Sequence, residues 1–97
     1  MAEANIHWRV PAVDIFESDD SFKLLADLPR IHKDDLEITI HQGKLKLRAV
    51  TGENGFERVF SLPDGFDGEV SAALHSGVLT VTLPKPAAAR PQRIAVA

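Results

Sequence analysis

The side chains best suited to chemistry in this sequence are histidines, one serine beside a histidine, and two aspartate pairs. The four histidines are His7, His32, His41 and His75. None of them stands in the His-x-x-x-His spacing that places two metal ligands on one helix face. Ser76 follows His75, but the Gly-x-Ser-x-Gly elbow of hydrolases is missing. The aspartate pairs at 19–20 and 34–35 lie in polar turn segments and are typical of solvated carboxylates. We therefore expect no catalytic residue, no metal site and no cofactor.

The composition argues against several other classes of function. The chain has 97 residues, a length typical of one domain, and 11 basic against 14 acidic residues give a formal net charge of −3. With this charge and no run of Lys or Arg, we expect no nucleic acid as a partner. No apolar run approaches the roughly 18 residues that a membrane span needs, so we expect no membrane partner. The absence of cysteine excludes disulfides and thiolate chemistry. The first residues lack the apolar region of a signal peptide, so we expect a cytoplasmic location.

The elements that position these side chains are predicted to be β-strands. The clearest signal is the segment 70–85, where two alternating apolar runs flank a His-Ser-Gly break. The first run is Val70, Ala72 and Leu74, and the second is Leu79, Val81 and Leu83. Alternation with a period of two on both sides of a short turn that contains Gly predicts a β-hairpin.

Five further alternating runs precede this hairpin, at about 13–17, 22–28, 36–41, 44–50 and 56–62. Seven short strands separated by turn residues predict an all-β fold, an antiparallel β-sandwich of the immunoglobulin-like type. No helix longer than one turn is predicted. We divide the chain into an N-terminal arm (1–12), a sandwich domain (13–85) and a C-terminal extension (86–97). Prolines at 84, 86 and 91 favour an extended conformation at the start of that extension.

Five short motifs occur in an informative order. They are an opening Trp-Arg-Val-Pro-Ala-Val-Asp-Ile at 8–15, Ala-Asp-Leu-Pro at 26–29, Phe-x-Arg-x-Phe-x-Leu-Pro at 56–63, Ala-x-x-x-Ser-Gly-Val-Leu at 72–79, and Ile-x-Val at 94–96. Together they resemble the α-crystallin domain of the small heat-shock proteins. The resemblance implies a β-sandwich of that type, acting as an ATP-independent chaperone that binds partly unfolded proteins.

The sequence departs from the family pattern in three places. Many bacterial and plant members carry a long loop before the Phe-x-Arg strand, and a strand within it swaps into the partner subunit. Here the connection is about five residues, 51–55, and no strand fits in it. We therefore expect self-association as a dimer or small oligomer, but not the loop-swapped dimer. The arm is short and has few apolar anchors, and Arg30 stands where the family commonly has Gly.

The resemblance also favours an apolar docking site for the tail. Ile94 and Val96 lie two residues apart, so in an extended tail they point to one side and could add to a sheet edge. The groove that receives them would lie between the 36–40 and 70–74 strands. Its predicted residues are Leu36, Ile38, Ile40, Val70, Ala72 and Leu74. The alternative is a terminus without a fixed position.

Two further residues carry expectations. Arg58 shares strand parity with Phe56 and Phe60, and a charge on an apolar face needs a partner. The resemblance implies that Arg58 forms an ion pair across a subunit interface, whereas an edge-strand arginine with its head in water is the alternative. Trp8 is expected to seal one end of the sandwich rather than to contact clients.

The leading hypothesis is therefore a holdase of the small heat-shock type, which binds partly unfolded clients and limits their aggregation without ATP. The runner-up is a sandwich that resembles CS-domain co-chaperones and docks on one dedicated protein partner. The short arm and the shortened loop favour this second hypothesis. An enzyme is not expected, because no motif in the sequence supports one.

Overall fold

The computed structural model of the chain describes residues 5–63, 66, 68–85 and 93–97. Within these residues eight strands form two four-stranded sheets. The strands are β1 (His7–Arg9), β2 (Val13–Glu17), β3 (Ser21–Asp27), β4 (Leu36–His41), β5 (Lys44–Thr51), β6 (Asn54–Ser61), β7 (Ser71–His75) and β8 (Val78–Pro84). A single turn of 3-10 helix, Lys33–Asp35, precedes β4. Most of the proline-containing segment predicted to be extended lies outside the described residues.

The two sheets have the strand orders β1-β6-β5-β4 and β2-β3-β8-β7. All neighbouring strands are antiparallel except β1, which pairs in parallel with β6. The predicted all-β sandwich is confirmed, and the seven predicted strands correspond to β2–β8. Strand β1 lies within the segment expected to be an arm. The sequence did not predict it because His7–Arg9 is exposed along its whole length and shows no alternation of apolar residues.

Alternation in the central strands builds the core between the sheets. Leu45, Leu47 and Ala49 of β5 are buried, and the residues between them point to the outer face. Strand β8 repeats the pattern with its own three apolar residues. The buried core consists of Leu24, Ala26, Leu28, Ile31, Leu45, Leu47, Ala49, Phe56, Leu79, Val81 and Leu83. Because the side-chain period of a strand is two, this set fixes the register of both sheets.

Tight turns join three of the strand pairs. Gln42-Gly43 and Ser76-Gly77 both have positive φ at their two residues, as the hairpin turn of type I′ requires. Between β5 and β6, Thr51 pairs with Asn54, so the turn contains only two residues and begins at Gly52 with φ +57°. The predicted five-residue loop is therefore shorter still, because its ends belong to the strands. The β5–β6 connection holds no strand that could swap into a partner.

A buried lysine fixes the point where the chain leaves the sandwich. The Nζ of Lys85 lies 2.7 Å from Oε2 of Glu17 at the end of β2, and 4.9 Å from the centre of the Phe22 ring. The backbone N–H of Lys85 donates to the carbonyl of Asp20. These contacts hold the end of β8 against the β2–β3 turn, so the C-terminal extension starts beside the end of β2.

Candidate docking edges

The predicted groove lies along two outer strands of the sandwich. Strand β4 is the last strand of one sheet and β7 is the last strand of the other. A pocket of about 320 Å³ lies between residues 30–33, which lead to β4, and residues 74–77 at the end of β7. Its lining indicates that the two edges border the same open side of the molecule. The structure therefore brings the two predicted strands to one side, as strand addition would need.

The six predicted groove residues differ in burial. Leu36, Ile38, Val70 and Leu74 are partly buried against the core. Ile40 pairs directly with the buried Leu45, so its side chain is on the inward face of β4. It is nevertheless 46% exposed. Ala72 is exposed. The open side thus presents a row of apolar side chains, and their role as a docking groove stays a prediction.

The C-terminal motif does not occupy this groove in the structure. Ile94 is 81% exposed and Val96 is 94% exposed. Both side chains therefore keep most of their apolar surface in water, a cost that burial against another surface would remove. Where Ile94 and Val96 dock stays a prediction.

Arg58 lies on the inner face of β6, near the edge of its sheet. It pairs across the ladder with the buried Leu47, and its Cζ lies 4.9 Å from the centre of the Phe60 ring. Within the described part of the chain, no carboxylate forms an ion pair with it. Strand β1 covers the outer edge of β6 only at 54–56. The stretch 57–61 pairs with β5 on its other side and has no strand on its outer edge in the described chain. Arg58 is thus placed where a second chain could reach it.

Trp8 lies on the outer face of a sheet, and the expectation that it seals one end of the sandwich is wrong. Strand β1 places Trp8 beside Gly55, and an added Cβ on Gly55 would lie 2.7 Å from Cε3 of the indole ring. Gly55 pairs with Val50, whose parity is opposite to that of the buried residues of β5. The Cζ of Arg48 lies 4.9 Å from the centre of the ring. The ring is 43% exposed and fastens β1 to the outside of β6.

An apolar opening on the other side of the sandwich was not predicted from the sequence. A pocket of about 350 Å³ lies there, lined by Ile15, Phe22, Leu24, Leu45, Phe60, Ser61, Leu62, Pro63 and Leu83. A signal for it was available, since Ile15 and Phe16 put apolar side chains on both faces of β2. Two-sided apolar character is unusual in an edge strand and marks it as a surface to be covered.

The described residues contain no assembled reactive site. Within them, no group of three or more His, Asp or Glu side chains lies close enough to hold a metal ion. The four histidines are all exposed and lie on separate strands and loops. No helix in the described part of the chain is long and apolar enough to cross a membrane.

The two-sheet sandwich with its open edges can be compared with known proteins. Residues 47–97 match the sequence model of the Hsp20/alpha crystallin family, and this segment is more than half of the chain. The chain belongs to the Hsp20/alpha crystallin family. The resemblance found in the motifs is thereby confirmed, and the small heat-shock proteins are stress-response proteins.

Two relatives show the extent of the similarity. The chain is 38% identical to the chloroplastic heat shock 22 kDa protein of Chlamydomonas reinhardtii, covering 93% of this chain and 71% of that protein. It is 34% identical to spore protein SP21 of Stigmatella aurantiaca, covering 91% of this chain and 62% of that protein. Since 93% of 97 residues is about 90, about 22 of the 112 positions aligned with the Chlamydomonas protein have no counterpart here. This chain is thus shorter than that relative within the aligned region.

Solved structures agree with the fold. A small heat-shock protein from Xylella fastidiosa superimposes with a TM-score of 0.74 at 34% identity, covering 92% of this chain and 97% of that one. Heat shock protein 16.0 from Schizosaccharomyces pombe gives a TM-score of 0.72 at 26% identity, covering 92% and 76%. The two-sheet arrangement described above is therefore the α-crystallin sandwich.

Proposed function

We propose that this chain is an ATP-independent holdase that binds partly unfolded proteins and limits their aggregation. The observation that carries the proposal is the row of apolar side chains along the open side between β4 and β7. Partly unfolded proteins expose apolar segments in extended conformations, and such segments add to free sheet edges. Binding lowers the free concentration of aggregation-prone chains by mass action, so no nucleotide is needed.

The groove supplies both parts of such an interaction. The outer edge of β4 has no partner strand among the described residues, so its backbone groups can pair with an incoming segment. The inward side chains Leu36, Ile38 and Ile40 alternate with polar residues. Together they would contact every second residue of a client segment that is paired with β4. Val70 and Leu74 form the opposite wall. Backbone pairing is independent of sequence, which suits a chaperone with many clients.

The C-terminal motif is proposed to act as a reversible cap on the same groove. Burying Ile94 and Val96 is worth roughly 3 to 5 kcal/mol before ordering costs. Fixing the backbone of several tail residues costs about 1 kcal/mol or more for each residue. The two contributions nearly cancel, so the cap is weak and a client can displace it. Eleven residue steps separate Leu83 from Ile94, and a fully extended chain of that length reaches up to about 36 Å. The tail could therefore dock on the same subunit or on a neighbour.

Self-association is proposed to use the free stretch of β6. The outer edge of β6 has unpaired backbone groups at 57–61. The guanidinium of Arg58, which lies in this stretch, would take a carboxylate of a second subunit as partner. Because the β5–β6 turn has only two residues, this dimer differs from the loop-swapped one. Light scattering on the wild-type chain and on Arg58→Ala would test it, and equal masses for the two would contradict it.

The holdase proposal is tested by the aggregation of a heat-labile client, with Ile40→Lys as the informative variant. Ile40 is 46% exposed and is one of the six predicted groove residues. The matched control is Val78→Lys, because Val78 is also an exposed aliphatic residue but lies on the outer face of β8. We expect wild type and Val78→Lys to suppress light scattering, and Ile40→Lys to suppress it less. No suppression by wild-type protein at several-fold molar excess would contradict the proposal.

A module that docks on one dedicated partner is the second candidate, and the two-residue β5–β6 turn favours it. Without a strand in that turn, the loop-swapped dimer that the family resemblance implies is not expected for this chain. In that case the protein would bind one folded partner at a fixed stoichiometry and would ignore denatured proteins. Calorimetric titration with several unrelated unfolded clients separates the two functions, since only a holdase binds all of them.

A further inference from the structure

Strand β2 presents an open edge that nothing in the described chain covers. It pairs with β3 through all five of its residues, and no other described strand pairs with it. Ile15 and Phe16 point to opposite faces, and each is 56% exposed. Proteins usually blunt such an edge with charge or proline, or cover it with another segment. The two exposed apolar side chains indicate a covered edge.

The inner side of this edge borders a recess that can take side chains. Ile15 lines the apolar pocket of about 350 Å³, together with Phe22, Phe60 and Leu62 from the surrounding strands and loop. A strand added beside β2 would place every second side chain over this recess, next to Val13 and Ile15. The site therefore offers backbone pairing and an apolar seat at the same time.

Charge decides which kind of strand fits. Asp14 points to the outer face of β2, Glu17 ends the strand, and two aspartates follow at 19–20. A second copy of β2 paired across a two-fold axis at Asp14 or at Glu17 would place like charges directly opposite, which destabilises a strand pair. An axis at Ile15 would place Asp14 opposite Phe16 and Glu17 opposite Val13, so neither carboxylate would gain a cation from the second copy. The edge instead favours an apolar segment that carries a positive charge.

The C-terminal segment 93–97 has this composition. Its sequence is Arg-Ile-Ala-Val-Ala, in which the two aliphatic residues alternate with a cation and small residues. Ile94 and Val96 are 81% and 94% exposed, so both are available for burial. In an extended segment they point to one side and Arg93 points to the other.

The topology brings this segment to β2 of its own subunit. Strands β2 and β8 both run antiparallel to β3, so β8 ends at the same end of the sheet as β2. The Lys85–Glu17 contact fixes the start of the tail there. A strand beyond β2 would lie three strand spacings from β8, or about 14 Å. The eight steps from Lys85 to Arg93 reach up to about 26 Å, which is sufficient for the chain to turn back.

From these observations we infer that residues 93–97 add to β2 of the same subunit as an antiparallel strand. In the register that matches the faces, Ile94 lies opposite Ile15, and Val96 lies opposite Val13. Arg93 then lies over the Phe16 ring, with Asp14 as its diagonal neighbour. In this register apolar side chains meet over the recess, and the opposite charges of Arg93 and Asp14 are neighbours on the outer face.

This seat gives the tail a second position and makes it a latch between two sheet edges. A tail seated on β2 leaves the groove between β4 and β7 open, whereas a tail in the groove leaves β2 open. The effect on client binding rests on the proposed function. The seat itself does not, because it depends only on the strand, the recess and the tail.

The absence of native cysteine makes disulfide trapping a clean test. The double variant Ile15→Cys with Ile94→Cys would place two thiols opposite each other across the new strand pair. The matched control is Lys23→Cys with Ile94→Cys, because Lys23 lies on the next strand, on the outer face. We expect the first pair to close at least roughly tenfold faster than the control, since a seated tail holds its thiols within bonding distance. The product is expected to be a monomer on a non-reducing gel.

Charge variants and a competing pair complete the experiment. Arg93→Glu in the Ile15/Ile94 cysteine background should slow closure several-fold, and a further Asp14→Arg should restore it. Equal closure rates for the Ile15 and Lys23 pairs, or products linked only between chains, would overturn the inference. Closure of an Ile38→Cys, Ile94→Cys pair without closure of the Ile15 pair would leave the groove as the seat of the tail and would also overturn the inference. A protein that traps the tail on β2 but fails to suppress aggregation would refute the holdase and leave the seat standing.

Discussion

Replacing Gly55 by alanine should detach strand β1 from the sandwich without unfolding it. An ideal Cβ at this position would lie 2.7 Å from Cε3 of Trp8 and 2.8 Å from Cγ2 of Ile6. Carbon atoms pack best at about 3.5–4.0 Å, so the ring must retreat by about 1 Å. A retreat of that size separates the indole from the strand beneath it and disrupts the parallel pairing of β1 with β6. Gly55 is therefore required for close approach and not for an unusual backbone conformation.

The arm is held by a small free energy, so one methyl group is sufficient to release it. The indole of Trp8 is 43% exposed, and its burial covers roughly 100–140 Å² of a large ring. That area contributes about 2.5–3.5 kcal/mol, and the guanidinium of Arg48 adds about 0.5–1 kcal/mol. Ordering the three residues of β1 costs about 1 kcal/mol each at the lower end of the usual range, which leaves about 0–1.5 kcal/mol. A contact that has to stretch by about 1 Å loses more than this margin.

Tryptophan fluorescence measures the release directly, because Trp8 is the only tryptophan in the chain. In Gly55→Ala we expect the emission to move to longer wavelength and acrylamide quenching to rise toward that of a solvated indole. The control is Val59→Ala, since Val59 lies on the same strand and face but is 50% exposed. The control should keep the wild-type spectrum. Gly55→Ala with an unchanged emission maximum and quenching constant would refute the account of how β1 is held.

Three further predictions concern stability, measured as the midpoint of thermal unfolding. Arg30 has φ +65°, so Arg30→Gly should raise stability by about 0.5–1 kcal/mol, or several degrees. The control Lys33→Gly should not raise it. An unchanged or lower midpoint for Arg30→Gly argues against backbone strain. Glu17→Gln removes the carboxylate charge from the 2.7 Å contact with the buried Lys85 ammonium and should cost about 1 kcal/mol; a neutral effect would show that this contact does not hold the tail's starting point. Leu79→Ala removes a fully buried side chain and should cost about 2–5 kcal/mol; a loss below 1 kcal/mol would contradict its place in the core.

Much of the fold could be predicted from the sequence because strand periodicity records burial directly. The alternating runs of β5 and β8 supply six of the buried core residues. The two turns Gln42-Gly43 and Ser76-Gly77 could also be predicted. Type I′ turns need positive φ at both central residues, and Gly adopts positive φ readily. In such segments the local pattern and the tertiary environment agree, and prediction succeeds.

The missed features depend on contacts between distant segments. Strand β1 has no apolar alternation, and it forms only because Gly55 leaves room for Trp8 on the outer face of β6. The recess beside Ile15 is assembled from both sheets and a loop, so the sequence marks only one of its walls, the strand β2 with apolar side chains on both faces. The docking residues could be predicted only in part. The edge strands β4 and β7 follow from the sequence, but the fold of one chain does not show which segment binds to them.

The central claim is that the open side between β4 and β7 binds unfolded chains without ATP. The most direct measurement is light scattering by a heat-labile client, with wild type, Ile40→Lys and Val78→Lys compared at equal concentration and without nucleotide. We expect suppression by wild type and Val78→Lys, and weaker suppression by Ile40→Lys while its thermal midpoint stays above the assay temperature. Equal suppression by all three folded proteins would place client binding elsewhere, and no suppression by wild type would contradict the claim itself.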